Sequence, residues 1–304
     1  MRRDKKEKIE KMATSNNEEL KPVLITDPEE MRRRLNELRK EGKTVGLVPT
    51  MGALHYGHLS LAIAAKNETD VSVVSIFVNP TQFAPGEDFD KYPRTLDADL
   101  ELLSQLGIDF VFAPSASAMY PAGFDANVHI GGVAKILEGE CRPTHFDGVA
   151  TVVLKLFNIV GPNIAYFGQK DFQQVAVVKK MVADLNVPVE IDMRPIIREK
   201  SGLAMSSRNE YLSAEERGQA LVLSKALEKA EELIRSGVRE VAELYAEMKR
   251  IIETAPNAKI DYIYVADPDT LLEMERVAGN VVILLAVRVG ATRLIDNRIV
   301  EPNK

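Results

Sequence analysis

The chain has 304 residues, 45% of them hydrophobic and 28% charged, with a formal net charge of −6; the length suits two domains and the composition is that of an ordinary globular protein. The acidic balance argues against a protein built to grip nucleic acid, and no run approaches the roughly 18 apolar residues of a membrane span. The one cysteine, Cys141, allows no internal disulfide and suits a reducing cytoplasm; no His/Cys spacing of the zinc type is present, so no protein-held metal is expected.

Residues 1–20 mix six basic with five acidic residues and lack an apolar stretch, so they read as a disordered extension and not as a secretory signal. From there to about residue 197 strands and helices alternate. Val23 to Thr26 predicts a strand, and Asp27-Pro28 opens a helix as N-cap and first helical residue, ended by Gly42. Thr44 to Val48 predicts a buried strand running up to Pro49. Leu59, Ala62, Ile63 and Ala65 then recur at helical spacing, which places His58 near a first helical turn. Val71 to Val78 is the strongest strand signal, rich in β-branched residues and bounded by Asn79-Pro80. A helix near 95–106, a strand at 108–112 and a loop-rich stretch at 113–148 follow. A helix at 149–160, a strand at 163–167, a helix at 171–186 begun by Asp171 and a strand at 189–191 complete the series.

Strands spaced by such helices imply right-handed crossovers and an α/β fold, a Rossmann-like doubly wound parallel sheet over residues 21–197. Ligands of these sheets bind outside the carboxyl ends of the strands, so the segments after Val48, Val78 and Phe167 are expected to converge. Beyond a hinge near 196–200 the character changes. Ser213 begins a region rich in Ala, Leu, Glu and Lys, broken at Gly237, and short strands follow at 260–265, 281–287 and 292–295. Residues 198–304 are therefore expected to form a smaller C-terminal α+β domain acting as a lid.

Four segments could carry chemistry. His55-Tyr56-Gly57-His58 holds two of the four histidines at a strand-to-helix junction, where helix N–H groups and the positive dipole end attract anions. Met51, Gly52 and Gly57 belong to the same stretch, the glycines leaving room for a phosphate to approach the backbone. Asn79-Pro80-Thr81-Gln82 closes the strongest strand; Gln82 can donate to and accept from a hydroxyl or carboxylate of a small substrate, although Asn79-Pro80 alone is a turn signal. Gly168-Gln169-Lys170-Asp171 leads to Gln174, with Lys170 a point charge suited to phosphate and Asp171 a helix cap. Met205-Ser206-Ser207-Arg208, in a glycine-led loop at the domain junction, has the makings of a phosphate clamp.

Together, Met-Gly-x-Leu-His-x-Gly-His, F-V-N-P-x-Q-F, F-G-x-K-D-x-Q-Q and M-S-S-R, in this order, resemble the pantoate–β-alanine ligase family. The similarity runs from about Val45 to Asn297 and passes through Tyr92-Pro93-Arg94-Thr95 and Leu294-Ile295-Asp296-Asn297. The H-x-G-H element is common to a wider nucleotidylyltransferase superfamily, class I aminoacyl-tRNA synthetases included; the other three segments are far more specific. The resemblance implies an ATP-dependent ligation in which the pantoate carboxylate attacks the α-phosphorus of ATP. The amine of β-alanine then displaces AMP from pantoyl adenylate to give pantothenate. It further implies Mg²⁺ accompanying ATP, a homodimer and a cytoplasmic setting, with pantoate, β-alanine and ATP as the only partners.

By position, the resemblance makes His55, His58, Lys170, Ser206, Ser207 and Arg208 the catalytic set. Met51, Gly52, His55, Gly57, His58, Gly168, Gln169, Lys170, Asp171, Ile197, Met205, Ser206, Ser207 and Arg208 would line the ATP site. Gln82, Gln174, Asn79 and Met51 would hold pantoate and β-alanine, and no residue is implied as a metal ligand. The chain departs from the family pattern at Thr144 and Asp147, where many members have Pro-Gly-His-Phe-Arg-Gly in place of Pro143-Thr144-His145-Phe146-Asp147-Gly148. His145 and His129 are read as structural, and residues 1–20 have no counterpart. Three alternatives fit parts of the pattern. Another adenylyl- or cytidylyltransferase would not need Gln82 and Gln174, and a tRNA synthetase would need a basic tRNA-binding segment. A non-catalytic nucleotide binder would not need the full set of His55, His58, Lys170 and Arg208.

Overall fold

The β-branched run Val71–Ile76 is buried along almost its whole length, as a strand covered on both faces must be. It sits centrally in a six-stranded parallel sheet whose strands lie in the order 23–25, 110–112, 71–76, 45–50, 164–168 and 190–194. The computed structural model describes residues 21–84, 86–87 and 89–303; the extension expected over 1–20 lies outside them. The first part of the chain runs β1 (Val23–Ile25), α1 (Pro28–Lys40), β2 (Val45–Thr50), α2 (Tyr56–Glu68), β3 (Val71–Ile76), α3 (Leu96–Gln105) and β4 (Phe110–Phe112). The short α4 (Ala116–Met119) and α5 (Glu138–Cys141) precede α6 (His145–Val160), β5 (Ile164–Gly168), α7 (Phe172–Asp184) and β6 (Glu190–Arg194). The doubly wound sheet expected from the sequence is therefore present.

Local signals explain most boundaries. Asp27 caps α1 by accepting from Glu30 N–H at 2.7 Å, with Pro28 in the first turn. Two helices begin earlier than expected. The first turn of α2 is polar and contains Gly57, and that of α6 contains Gly148, so a glycine masks each start, although Phe146 already keeps helical spacing with the buried Val149, Ala150 and Val153. Beneath α2 and α3, Val48, Leu61, Ala65, Val74, Leu103, Val111 and Tyr166 form a buried core.

The C-terminal part holds α8 (Ala214–Gln219), α9 (Leu221–Arg235), α10 (Val241–Ile252), β7 (Ala258–Ala266), β8 (Val281–Val289) and β9 (Thr292–Val300). Its strands form an antiparallel sheet in the order β7-β8-β9, each longer than its apolar run. Antiparallel strands can carry Arg288, Asp296 and Asn297 as long as each finds a polar partner or solvent. Leu223, Leu227, Leu244, Met248, Ile283 and Leu285 belong to one core of this region, and Leu137, Phe172, Ala266, Val282 and Leu284 to a second. β8 is thus buried at all but one position.

The chain divides into two compact units. One runs to His129 and takes in Asp147–Phe167 and Met181–Asp192; the other comprises Ile130–Phe146, Gly168–Lys180 and everything from Met193 onward. No described helix is long and apolar enough to cross a membrane.

Candidate active site

In the first unit, the chain leaves β2 through Thr50, whose hydroxyl donates to Ser75 C=O at 2.7 Å and accepts from Gly52 N–H at 3.2 Å. Gly52 and Ala53 then take positive φ, 82° and 50°, a turn that an L side chain adopts only when held. The holder is Asp99 on α3. Its carboxylate accepts from Ala53 N–H at 3.0 Å and from Leu54 N–H at 2.8 Å, and it is 2% exposed. Burial pushes the Asp99 carboxyl above its ordinary value, with the N–H groups of Leu54 and Ala53 and the Thr95 hydroxyl pulling the other way.

This turn delivers His55 to the N-cap of α2 and His58 to its third position, where they form a reciprocal capping box. His55 Nδ1 accepts from Gly57 N–H at 3.1 Å, and His58 Nδ1 faces His55 N–H at 3.4 Å. A neutral imidazole that accepts at Nδ1 carries its proton on Nε2. The two rings stack with centroids 4.1 Å apart and planes inclined at 24°, at a helix N-terminus, whose polarity suits an anion. Gly57 is needed for that stacking: a Cβ there would come within 2.9 Å of the His55 ring.

Beside this loop, Gln82 Nε2 donates to the Met51 sulfur at 3.2 Å, and its Oε1 accepts from Asn79 Nδ2 at 3.2 Å. Asn79 is 1% exposed and fully engaged. It also donates to Gly148 C=O at 3.2 Å and accepts from the Thr81 hydroxyl at 3.0 Å and the Tyr120 hydroxyl at 2.7 Å. Burial raises the Tyr120 phenol above its usual range. The segment rests directly on α6, where a Cβ on Gly148 would sit 2.4 Å from Thr81 O and 2.7 Å from Gln82 N. In the same unit Asp147, the departure from the family pattern, pairs with His129 at 3.0 Å, which gives both residues a structural partner.

In the second unit, β5 ends at Gly168, Gln169–Asp171 make one 3-10 turn, and α7 begins at Phe172. Lys170 Nζ lies 3.5 Å from Asp171 Oδ1, its side chain only 20% exposed. Of the two adjacent glutamines, Gln173 is buried and clamps the 133–138 segment. It donates to Val133 C=O at 2.8 Å and Ile136 C=O at 2.7 Å and accepts from Glu138 N–H at 3.1 Å. Gln174 is half-buried. Further on, Met205 N–H donates to Ile197 C=O at 3.0 Å, and Ser206 caps the 3-10 turn Ser207–Tyr211 by accepting from Arg208 N–H at 3.3 Å. Glu199 and Asn209 brace this loop: Arg217 binds Glu199 at 2.7 and 2.9 Å, and Asn209 Nδ2 reaches Glu199 and Ala204 C=O, each at 3.0 Å.

A family model described as pantoate-beta-alanine ligase matches residues 23–299 of the chain. The chain belongs to that family. Within it, the pantothenate synthetase of Acetivibrio thermocellus is 56% identical over 260 residues, 86% of this chain and 92% of the relative. The crystal structure of pantothenate synthetase from Thermus thermophilus superposes with a TM-score of 0.87 at 44% identity, covering 91% of this chain and 98% of the other. A Francisella tularensis pantoate-beta-alanine ligase, solved as a complex with beta-gamma ATP and beta-alanine, gives a TM-score of 0.73 at 37% identity over 91% and 97% of the two chains. Family and fold class stand as the sequence motifs implied.

Within each unit, then, the expected residues associate. Met51, Asn79 and Gln82 are linked, His55 and His58 are stacked, and Ile197 is paired with Met205. The motifs assign no role to Asp99, Tyr120 or Gln173. Their partners are backbone groups and side chains far along the chain, a relation no local motif records.

Proposed function

We propose that the chain is an ATP-dependent ligase that joins (R)-pantoate to β-alanine, forming pantothenate, AMP and pyrophosphate. The observation that carries this reading is the family match over residues 23–299 in a chain that retains His55, His58, Gln82, Lys170, Gln174 and Arg208. A pantoate carboxylate oxygen attacks the α-phosphorus of ATP, the bond to pyrophosphate breaks, and pantoyl adenylate remains. The neutral amine of β-alanine then attacks the acyl carbon, the bond to AMP breaks, and the amine sheds a proton.

In this reading Met51, Gly52, His55, Gly57 and His58 line the nucleotide, with Nε2–H of both histidines stabilising charge on the departing pyrophosphate. That role requires donors and not a transferred proton. Gly168, Gln169, Lys170, Asp171, Ile197 and Met205 also contact the nucleotide, and Ser206, Ser207 and Arg208 its phosphates. Gln82 and Gln174 hold pantoate beside Met51, and Asn79 orders the Gln82 amide. Among the described residues no group of three or more His, Cys, Asp and Glu could hold a metal ion. Mg²⁺ therefore fits this chain as an ion bound mainly by ATP phosphate oxygens and water, its usual preference; it would neutralise phosphate charge. The same reading makes the chain a homodimer working where ATP is abundant, in the cytoplasm.

Two measurements test it. Net AMP and pyrophosphate should appear only when pantoate and β-alanine are both supplied, whereas pyrophosphate should exchange into ATP with pantoate alone. Exchange without pantoate, or AMP release that ignores β-alanine, overturns the reading. His58→Ala should lower the pantoate-dependent exchange by roughly two orders of magnitude or more, and wild-type exchange would remove His58 from the mechanism.

A further inference from the structure

Asp296 and Asn297 are adjacent polar residues on β9, 3% and 2% exposed, and neither belongs to the site assigned above. Asn297 Nδ2 donates to Gln169 C=O and to Lys170 C=O, each at 2.9 Å, and its Oδ1 accepts from Gln169 Nε2 at 3.0 Å. Asp296 takes Arg198 in a two-point grip, Nη1 at 2.7 Å and Nη2 at 2.8 Å, and Arg198 Nη1 also donates to Gly202 C=O at 3.1 Å. Asp296 Oδ1 further accepts from Asn297 N–H at 2.7 Å.

On the reading of Lys170 and Met205–Arg208 as nucleotide contacts, we infer that Asp296 and Asn297 form a positioning pair that sets two phosphate-facing segments from one strand. The carbonyls of Gln169 and Lys170 lie at the strand-to-helix junction, where regular backbone pairing gives way to a single 3-10 turn. Asn297 supplies donors to both, and the Lys170 side chain springs from the backbone so fixed. Arg198 stands next to Ile197 and bridges across to Ala204, so the Asp296 grip sets the turn that leads into Met205–Arg208. A buried amide whose groups are all satisfied within one network is rigid, and a displacement of about 1 Å at a catalytic group costs up to roughly a hundredfold in rate. Neither residue touches substrate; each acts through the segment it holds.

The test measures pantoate-dependent ATP–pyrophosphate exchange in the full-length chain, with folding followed by circular dichroism. Asn297→Ala should lower kcat/KM for ATP by about tenfold to a hundredfold and leave KM for pantoate unchanged. If Asn297→Ala fails to fold, Asn297→Asp keeps the volume but turns an oxygen toward two carbonyls, and the same split is expected of it. In a Lys170→Ala background the second substitution should cost less than about threefold more, because two residues acting as a unit are not additive. Equal losses in both backgrounds, or wild-type ATP parameters in a folded Asn297 variant, overturn the inference. Wild-type exchange in Lys170→Ala alone instead sinks the nucleotide reading of Lys170, and the positioning role falls with it.

Discussion

Single side chains in this molecule often do two things at once. Asp99 is a first-turn acid of α3 and also the acceptor for the two amides that fix the turn before His55. Asn preserves its shape but accepts through one oxygen only, so Asp99→Asn should retain the fold and lose about tenfold or more in exchange activity. The pH dependence has a defined sign. Burial raises the native Asp99 carboxyl above its ordinary value, so between those two values the native state binds more protons than the unfolded chain. The contribution is complete at acid pH and is lost as pH rises through the native value. Activity runs the opposite way, since the two N–H groups need the ionised carboxylate. Urea titrations across the acid range should show a stability slope in the wild type that is flatter in Asp99→Asn; identical slopes would refute the assignment.

At the scale of elements, the site depends on how closely a loop approaches a helix. Gly148 lies inside α6, where alanine would favour the helix by about 1 kcal/mol. The Cβ would however meet backbone atoms of Thr81 and Gln82 at 2.4 to 2.7 Å, and backbone cannot rotate out of the way. The loop must move, so Gly148→Ala should weaken pantoate binding by roughly tenfold or more while ATP binding survives; calorimetry showing unchanged pantoate affinity would reject this. Such dependences mark the limit of what the sequence discloses. His55, His58 and Gln82 stand out as candidates because their motifs are contiguous and sit at strand ends. Gly148 was legible only as a residue in a loop pattern, and the need for it comes from a segment 67 positions earlier, seen in the contact with Thr81 O. Asn297 meets Lys170 across 127 positions. The start of α6 was masked by Gly148, a poor helix former in its first turn.

For the molecule as a whole, a part-buried charge cluster around Arg293 has a stabilising part and no assigned chemistry. Arg293 binds Glu138 at 2.6 and 2.8 Å and Asp261 at 2.7 Å, and the Tyr262 hydroxyl donates to Glu138 at 2.9 Å. Burial alone would lower Arg293, but the bonds to Glu138 and then Asp261 carry it above the ordinary arginine range; burial first, then the Glu138 charge, raises Tyr262. Replacing Arg293 with Met leaves Glu138 without its cation, while Asp261 keeps Arg288 at 3.3 Å, and should cost up to about 3 kcal/mol in a denaturant titration. The double variant with Glu138→Gln should recover part of that loss; a Met variant of wild-type stability would show the cluster to be idle. The chain also crosses between its two units at residues 129–130, 146–147, 167–168, 180–181 and 192–193. A ribosome releasing this protein therefore completes the first unit only at Asp192, and the second only when β9 has emerged. Leu137 and Phe172 emerge long before Ala266, Val282 and Leu284, with which they share a core, so a chain interrupted before β8 leaves that apolar surface of the second unit exposed. Interleaving of this kind means that neither unit can be inherited, swapped or expressed as a continuous piece of the gene.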